Sequence, residues 1–400
     1  MYRTLLGVGL GALILWIVIF LLNRYYDLES HGVSLNPGVL TWRTKHGLGV
    51  LDKIARSGKR FWKIFGGFGG IAGIFLMGVM FALLILNAVF LSTQGPPPGM
   101  EGPGVVPALP GITIPFTAGV IAIVIVLLTH EPAHGIMARI MDIDIKSTGL
   151  ALFLIIPGAF VEEDEEEFEN SSSWSRIQVA GAGPFANLVL GIISFFLILG
   201  LITPLSGLYV WDTLENSPAN QVGLQSGSRL MAIDDVEIGS YSDFRSFLDN
   251  ARPGQEVTLY TSEGQYTINL ANENGHAFVG VSIIPNTASS RGDLIGPIGI
   301  YSVAFTEIYA SFQQGVPLIN HYLYDSAIPW YLLNLLKWIF TLNLLVALFN
   351  LLPLKPLDGG HIIQGLSEKI TTKENANTIA NGFSLITLTV ILIAAVLPML

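Results

Sequence analysis

Within LLTHEPAHGIMARI, residues 127–140, two histidines stand four residues apart with a glutamate between them. On a helix, His130 and His134 lie one above the other on the same face, where both imidazoles reach a single ion. Glu131 stands beside them, placed to handle a water held by that ion. Zinc suits imidazole and carboxylate ligands and lowers the pKa of its water to about 7, so hydroxide is available at neutral pH. The chain has no cysteine, which excludes disulfides, thiolate zinc sites and cysteine nucleophiles. Any metal site must therefore use histidine and carboxylate. The alternative for HEPAH is a histidine pair satisfied by hydrogen bonds inside a helix bundle. Three ionisable groups at membrane depth cost at least about 2–3 kcal/mol each on insertion scales unless they pair or bind an ion, so that alternative needs partners too.

Catalytic zinc normally takes three protein ligands and keeps one position open. The best source of the third is ALFNLLPLKPLDGGHII, residues 347–363, where Asp358 follows an apolar run and precedes Gly359 and Gly360. Two glycines let the backbone turn sharply and approach a site closely. Leu-Asp-Gly alone is a weak signal, since Asp-Gly is a common turn. His361, beyond the glycine pair, reads as a polar loop residue. Pro132 inside the histidine helix removes one N–H and predicts a kink or an opened turn there.

The elements that must position these residues are membrane-grade. Of 400 residues, 51% are hydrophobic and 12% charged, too apolar for an ordinary soluble enzyme. Six stretches are long enough to cross about 30 Å of hydrocarbon. They are Leu5 to Leu22, Gly66 to Leu91, Gly111 to Met141, Ile177 to Leu201, Tyr331 to Leu352 and Thr378 to Leu400. The first reads as a retained anchor, too long for a signal peptide and lacking a small-residue cleavage site. The stretch from Asn23 to Ile64 reads as a loop holding eight lysines and arginines, whereas the loop from Ser92 to Pro110 holds none. By the positive-inside rule the first is cytoplasmic and the second external. Counting onward, the third and fifth spans run the same way. His130, His134 and Asp358 then converge at similar depth on the cytoplasmic side of the cell membrane.

Between the spans, residues 93–111 form a Pro- and Gly-rich external loop. The stretch from Thr148 to Glu162 is too short to span and rich in strand formers, which predicts a hairpin or extended strand near the cytoplasmic face. The acidic run from Glu162 to Glu169 reads as a solvated loop. The net charge of −10 and the lack of a basic surface domain argue against nucleic-acid partners. From Leu208 to Asn286 the composition becomes that of a soluble α+β module, with strands around Leu208–Val210, Ser228–Ile233, Glu256–Tyr260 and Tyr266–Leu270 and a helix over Ser242–Asn250. Residues 293–330 carry spaced aromatics among polar residues, as helices lying on the membrane surface do.

SPANQVGLQSGSRLMAIDDVEI, residues 217–238, resembles a circularly permuted PDZ domain, although Ser228 stands where that family usually has aspartate. The resemblance implies binding of an extended peptide or protein ligand by strand addition. The chain as a whole resembles the site-2 protease family of intramembrane zinc metalloproteases. The resemblance runs through HEPAH, GPFAN (Gly183 to Asn187), GPIGI (296–300) and NLLPLKPLDG (Asn350 to Gly359), in the family's order and with the PDZ-like module at its usual place. It implies that His130, His134 and Asp358 bind one zinc ion, that Glu131 is the general base and proton shuttle, and that Asn350 and Asn187 help position substrate or the oxyanion. An ordinary reading of both asparagines is a hydrogen bond to a neighbouring helix.

The expected architecture is a polytopic α-helical membrane protein of about six spans with an inserted extramembrane PDZ-like domain. Residues 1–92 give two helices and a basic loop. Residues 93–202 give the first part of the catalytic core, 203–292 the external module, 293–330 an interfacial segment and 331–400 the rest of the core. The expected activity is hydrolysis of peptide bonds in or near transmembrane segments of membrane proteins, with the lipid bilayer as surroundings. A metal-ion transporter using the same cluster is the alternative, and it calls for polar residues through the full membrane depth. A silent scaffold is a third, and it calls for loss of a metal or base residue.

Overall fold

The computed structural model of the chain describes residues 2–26, 28–36, 38–95, 108–286, 293–294, 319 and 323–399. It divides into two compact units: Met1–Ile193 with Trp338–Leu400, and Ser194–Lys337. Among the described residues, five helices are long and apolar enough to cross a membrane. They are α3 (Lys59–Gln94), α4 (Phe116–Ile140), α6 (Ser173–Leu201), α9 (Trp330–Asn350) and α11 (Lys373–Val396). The first expected span forms α1 (Tyr2–Tyr26), but its described apolar part, Leu10–Tyr26, is shorter than the other five. The expected interfacial segment 293–330 lies mostly outside the described residues, and GPIGI and most of the Pro-rich loop lie wholly outside them.

In the first unit, helices pack through glycines. A Cβ on Gly181 of α6 would sit 2.6 Å from the Gly69 carbonyl oxygen of α3, so the two backbones approach as only glycine allows. Around this crossing, Met137, Ile177, Leu351 and Ile362 are buried. α4 begins after Pro115, later than the apolar run does, and continues unbroken through Pro132. The opened turn expected there does not form.

The stretch from Asn23 to Ile64 is not a plain loop. It holds β1 (Val33–Asn36), β2 (Val39–Thr44) and the amphipathic α2 (Leu48–Ser57). These strands join the expected hairpin, β3 (Ile145–Phe153) and β4 (Ile156–Glu163), in one antiparallel sheet ordered β1-β2-β3-β4. Thr44 pairs with Thr148 and Trp42 with Leu150. On the other side of β3, Thr148 pairs with Val161 and Leu150 with Ala159. The pleat admits only glycine at 149, where a Cβ would strike the Trp42 carbonyl and the Phe160 ring. Among the described residues β4 is an edge strand, and Leu150, Phe153 and Leu154 expose apolar side chains.

The acidic run is partly helical rather than a loop. Asp164 caps α5 (Glu165–Asn170) by accepting from the Glu167 amide, and the acidic first turn suits the positive end of the helix dipole. From there Arg176, at the start of α6, is buried against Glu368, which is itself buried, with Glu169 3.6 Å away. Lys373 of α11 closes the network on Glu169 at 2.6 Å. Removing one member of such a cluster strands the rest. Arg176→Ala is expected to lower unfolding stability by about 3–5 kcal/mol, read as earlier loss of helical signal in denaturant titration in detergent. Wild-type stability in that variant would show that the network contributes nothing net.

The second unit has an α+β core. Its main sheet runs β10-β9-β7-β6-β13, with β8 pairing β7. The strands are β6 (Gly207–Thr213), β7 (Arg229–Ile233), β8 (Val236–Glu237), β9 (Glu256–Thr261), β10 (Gly264–Asn269) and β13 (Val281–Asn286). Their alternating inward residues Leu208, Val210, Leu230, Ile233, Val257, Leu259 and Ile268 bury Phe244 of α8 (Tyr241–Asn250). Short helix α7 (Pro218–Gln221) starts with Ser217 as cap and proline at its first position, as helix chemistry favours.

Candidate metal centre and active site

On α4, His130 and His134 are both buried, 5% and 8% exposed. Asp358 opens α10 (Asp358–Ser367) just after the turn that ends α9. The glycines after it are obligatory there. A Cβ on Gly359 would strike the carbonyls of Leu351 and Leu352, and one on Gly360 would sit 2.8 Å from the Lys355 nitrogen. This tight turn carries the Asp358 carboxylate to the histidines. Its Oδ2 lies 3.3 Å from His130 Nε2, and its Oδ1 lies 3.4 Å from His134 Nε2. The two Nε2 atoms are 3.2 Å apart. One ligand atom from each of the three residues falls within 4.8 Å of the others.

The groups behind the ligands are equally specific. His134 Nδ1 lies 2.8 Å from the Val179 carbonyl of α6, which can only accept, so Nδ1 carries the proton and Nε2 is free to bind a metal. A Cβ at Gly183 would collide with this imidazole, so the glycine one turn after Val179 makes room for the ring. Asn187, a further turn along and fully buried, places its amide nitrogen 3.1 Å from His130 Nδ1. Asn350, the last residue of α9, approaches the other nitrogen of the same ring, with Nδ2 3.2 Å from Nε2. The two asparagines therefore stand on opposite sides of His130. Two buried imidazoles and a carboxylate with convergent ligand atoms suit zinc.

Glu131 is not among the three. Its Oε2 accepts the Val161 amide of edge strand β4 at 3.1 Å, which leaves Oε1 for proton transfer. These residues line a cleft of about 480 Å³ that also takes in Glu163, Phe168, Asn350 and His361. Glu163 belongs to the run expected to be a solvated loop, yet burial raises its carboxyl above the ordinary range. Its alternation with Val161 on β4 was the only available signal. His361 is not in a loop either. It lies on α10 with its ring edge-on to Phe168 at 5.9 Å, and burial pushes its imidazole below the usual value.

A His-Glu-x-x-His helix and a distant aspartate, closed into one buried cluster among apolar helices, define a membrane-embedded metallohydrolase. The chain belongs to peptidase family M50, whose model matches residues 118–394. A Methanocaldococcus jannaschii protein, named uncharacterized protein MJ0971, is 29% identical over 368 residues, covering 91% of this chain and 86% of the relative. Zinc metalloprotease RasP of Shouchella clausii is 26% identical over 308 residues, covering 65% of this chain and 69% of its own. Among solved structures, the PDZ domain of the SdrC-like protein (Lmo2051) from Listeria monocytogenes aligns with 20% of this chain and 90% of that domain, at 23% identity and a TM-score of 0.19.

Proposed function

We propose that the protein hydrolyses peptide bonds in or beside transmembrane segments, with His130, His134 and Asp358 holding zinc and Glu131 as general base. One observation carries this reading: the three ligand atoms within 4.8 Å of one another, beside a glutamate already tied to an edge strand in the same cleft. Zinc, when bound, supplies Lewis acidity that polarises the scissile carbonyl and acidifies water. Glu131 Oε1 takes the proton of the attacking water and returns it to the leaving amine. Asn350, at the cleft-facing nitrogen of His130, orients the carbonyl under attack.

A substrate helix hides its amides in internal hydrogen bonds, so cleavage requires local unwinding. Strand β4 is the natural place to hold the unwound segment, since an edge strand offers backbone groups for pairing, here beside the Val161 amide that Glu131 holds. The site opens toward the cytoplasmic side, where the lysines and arginines of the first interhelical stretch also lie. Residues 203–292 form an external PDZ-like domain inserted between spans, binding a peptide or protein ligand and screening substrates. Membership of a peptidase family disfavours the metal-ion transporter.

The test is cleavage of a transmembrane peptide by the purified full chain in detergent. Activity is expected to disappear on zinc chelation and to return with added zinc. Chelator-resistant cleavage would overturn the metal assignment.

A further inference from the structure

We propose that Asn187 is a positioning residue for the metal centre: its side-chain oxygen accepts the Nδ1 proton of His130 and fixes that ring with Nε2 toward the ion. This deepens the zinc reading above and rests on it.

Three observations lead here. His130 Nε2 faces both Asp358, at 3.3 Å, and His134 Nε2, at 3.2 Å, so Nε2 is the ligand atom. A neutral imidazole that binds through Nε2 carries its proton on Nδ1, and a buried N–H needs an acceptor. Among the described residues, Asn187 is the group within hydrogen-bond distance of Nδ1, at 3.1 Å. Yet its amide stands with Nδ2 toward Nδ1, which leaves Oδ1 buried without a hydrogen-bond partner among the described residues. The two ends of an amide are nearly isosteric. A half-turn about the last side-chain bond brings Oδ1 to Nδ1, gives the orphaned acceptor a donor and selects the metal-binding tautomer together, with Nδ2 turned to where Oδ1 stood.

The same geometry separates Asn187 from a role on substrate. Asn187 is 0% exposed, behind the ring, whereas Asn350 is in front of it and lines the cleft. GPFAN on α6 then answers HEPAH on α4 turn for turn. Gly183 admits the ring of His134, whose proton goes to the Val179 carbonyl, and Asn187 receives the proton of His130.

The experiment measures zinc affinity of the full chain in detergent by chelator competition, with zinc alone as probe. Asn187→Leu and Asn187→Ala are expected to bind zinc about 10–100-fold more weakly, the usual effect of losing a partner behind a ligating histidine. Asn187→Asp, which supplies a carboxylate acceptor, is expected to stay within about threefold of wild type. Gel filtration and thermal unfolding of the metal-free forms check folding; if the Leu variant misfolds, the Asp and Ala pair carries the comparison. Wild-type zinc affinity in Asn187→Ala would overturn the proposal, and cleavage lost at that unchanged affinity would place Asn187 on substrate instead. So would an Asp variant as weak as Ala. A wild-type protein that binds zinc no better than His134→Ala would instead overturn the metal-centre reading itself.

Discussion

Glu131→Gln is expected to slow cleavage of a transmembrane substrate by about 100- to 10,000-fold, the range that a positioned general base contributes. The amide keeps the size of the carboxylate and can still accept the Val161 N–H, so β4 stays in place. What it loses is a place for the proton. Glu131 lies outside the ligand cluster, so zinc content measured on the same preparation is expected to match wild type. That pairing separates catalysis from assembly. Wild-type turnover in the variant would sink the general-base role, whereas parallel loss of zinc would make Glu131 part of the metal site.

Asp358→Ala is expected to do the reverse, removing zinc first and activity with it. Two histidines on adjacent turns remain, one ligand short of the three that catalytic zinc normally takes. Affinity is expected to fall by more than the roughly 10–100-fold typical of losing a partner behind a ligand. Metal analysis after dialysis against a weak chelator reads this directly. Zinc that remained at full stoichiometry in Asp358→Ala would mean another carboxylate serves, and Glu163, in the same cleft, would be the first to examine.

The legible parts of the site were those written in short-range periodicity. Helix geometry alone put His130 and His134 on one face. The order of spans called for Asp358 to come near them, and the aspartate does lie beside both histidines. In the second unit, alternation and turn residues located β6, β7, β9, β10 and α8 to within a few residues.

What stayed hidden depends on contacts between distant segments. The pairing of Thr44 with Thr148 joins pieces about a hundred residues apart, and neither strand announces its partner. Asn187 and Asn350 share one expected role, because which nitrogen of His130 each meets is a matter of helix rotation. Glu163 was masked by charged neighbours, since a like-charge run is ordinarily solvent-facing. Pro132 predicts a kink or an opened turn, and the opened turn does not form because the surrounding bundle overrides local backbone preference.

The order of the ligands along the chain has a consequence for biosynthesis. His130 and His134 emerge from the ribosome long before Asp358, which is set in place only once the tight turn after α9 has closed on its glycines. Until then a nascent chain carries two of the three clustered residues, with Glu131 and the β4 segment already made. The histidine pair thus enters a membrane crowded with other helices ahead of the carboxylate that closes the cluster around it.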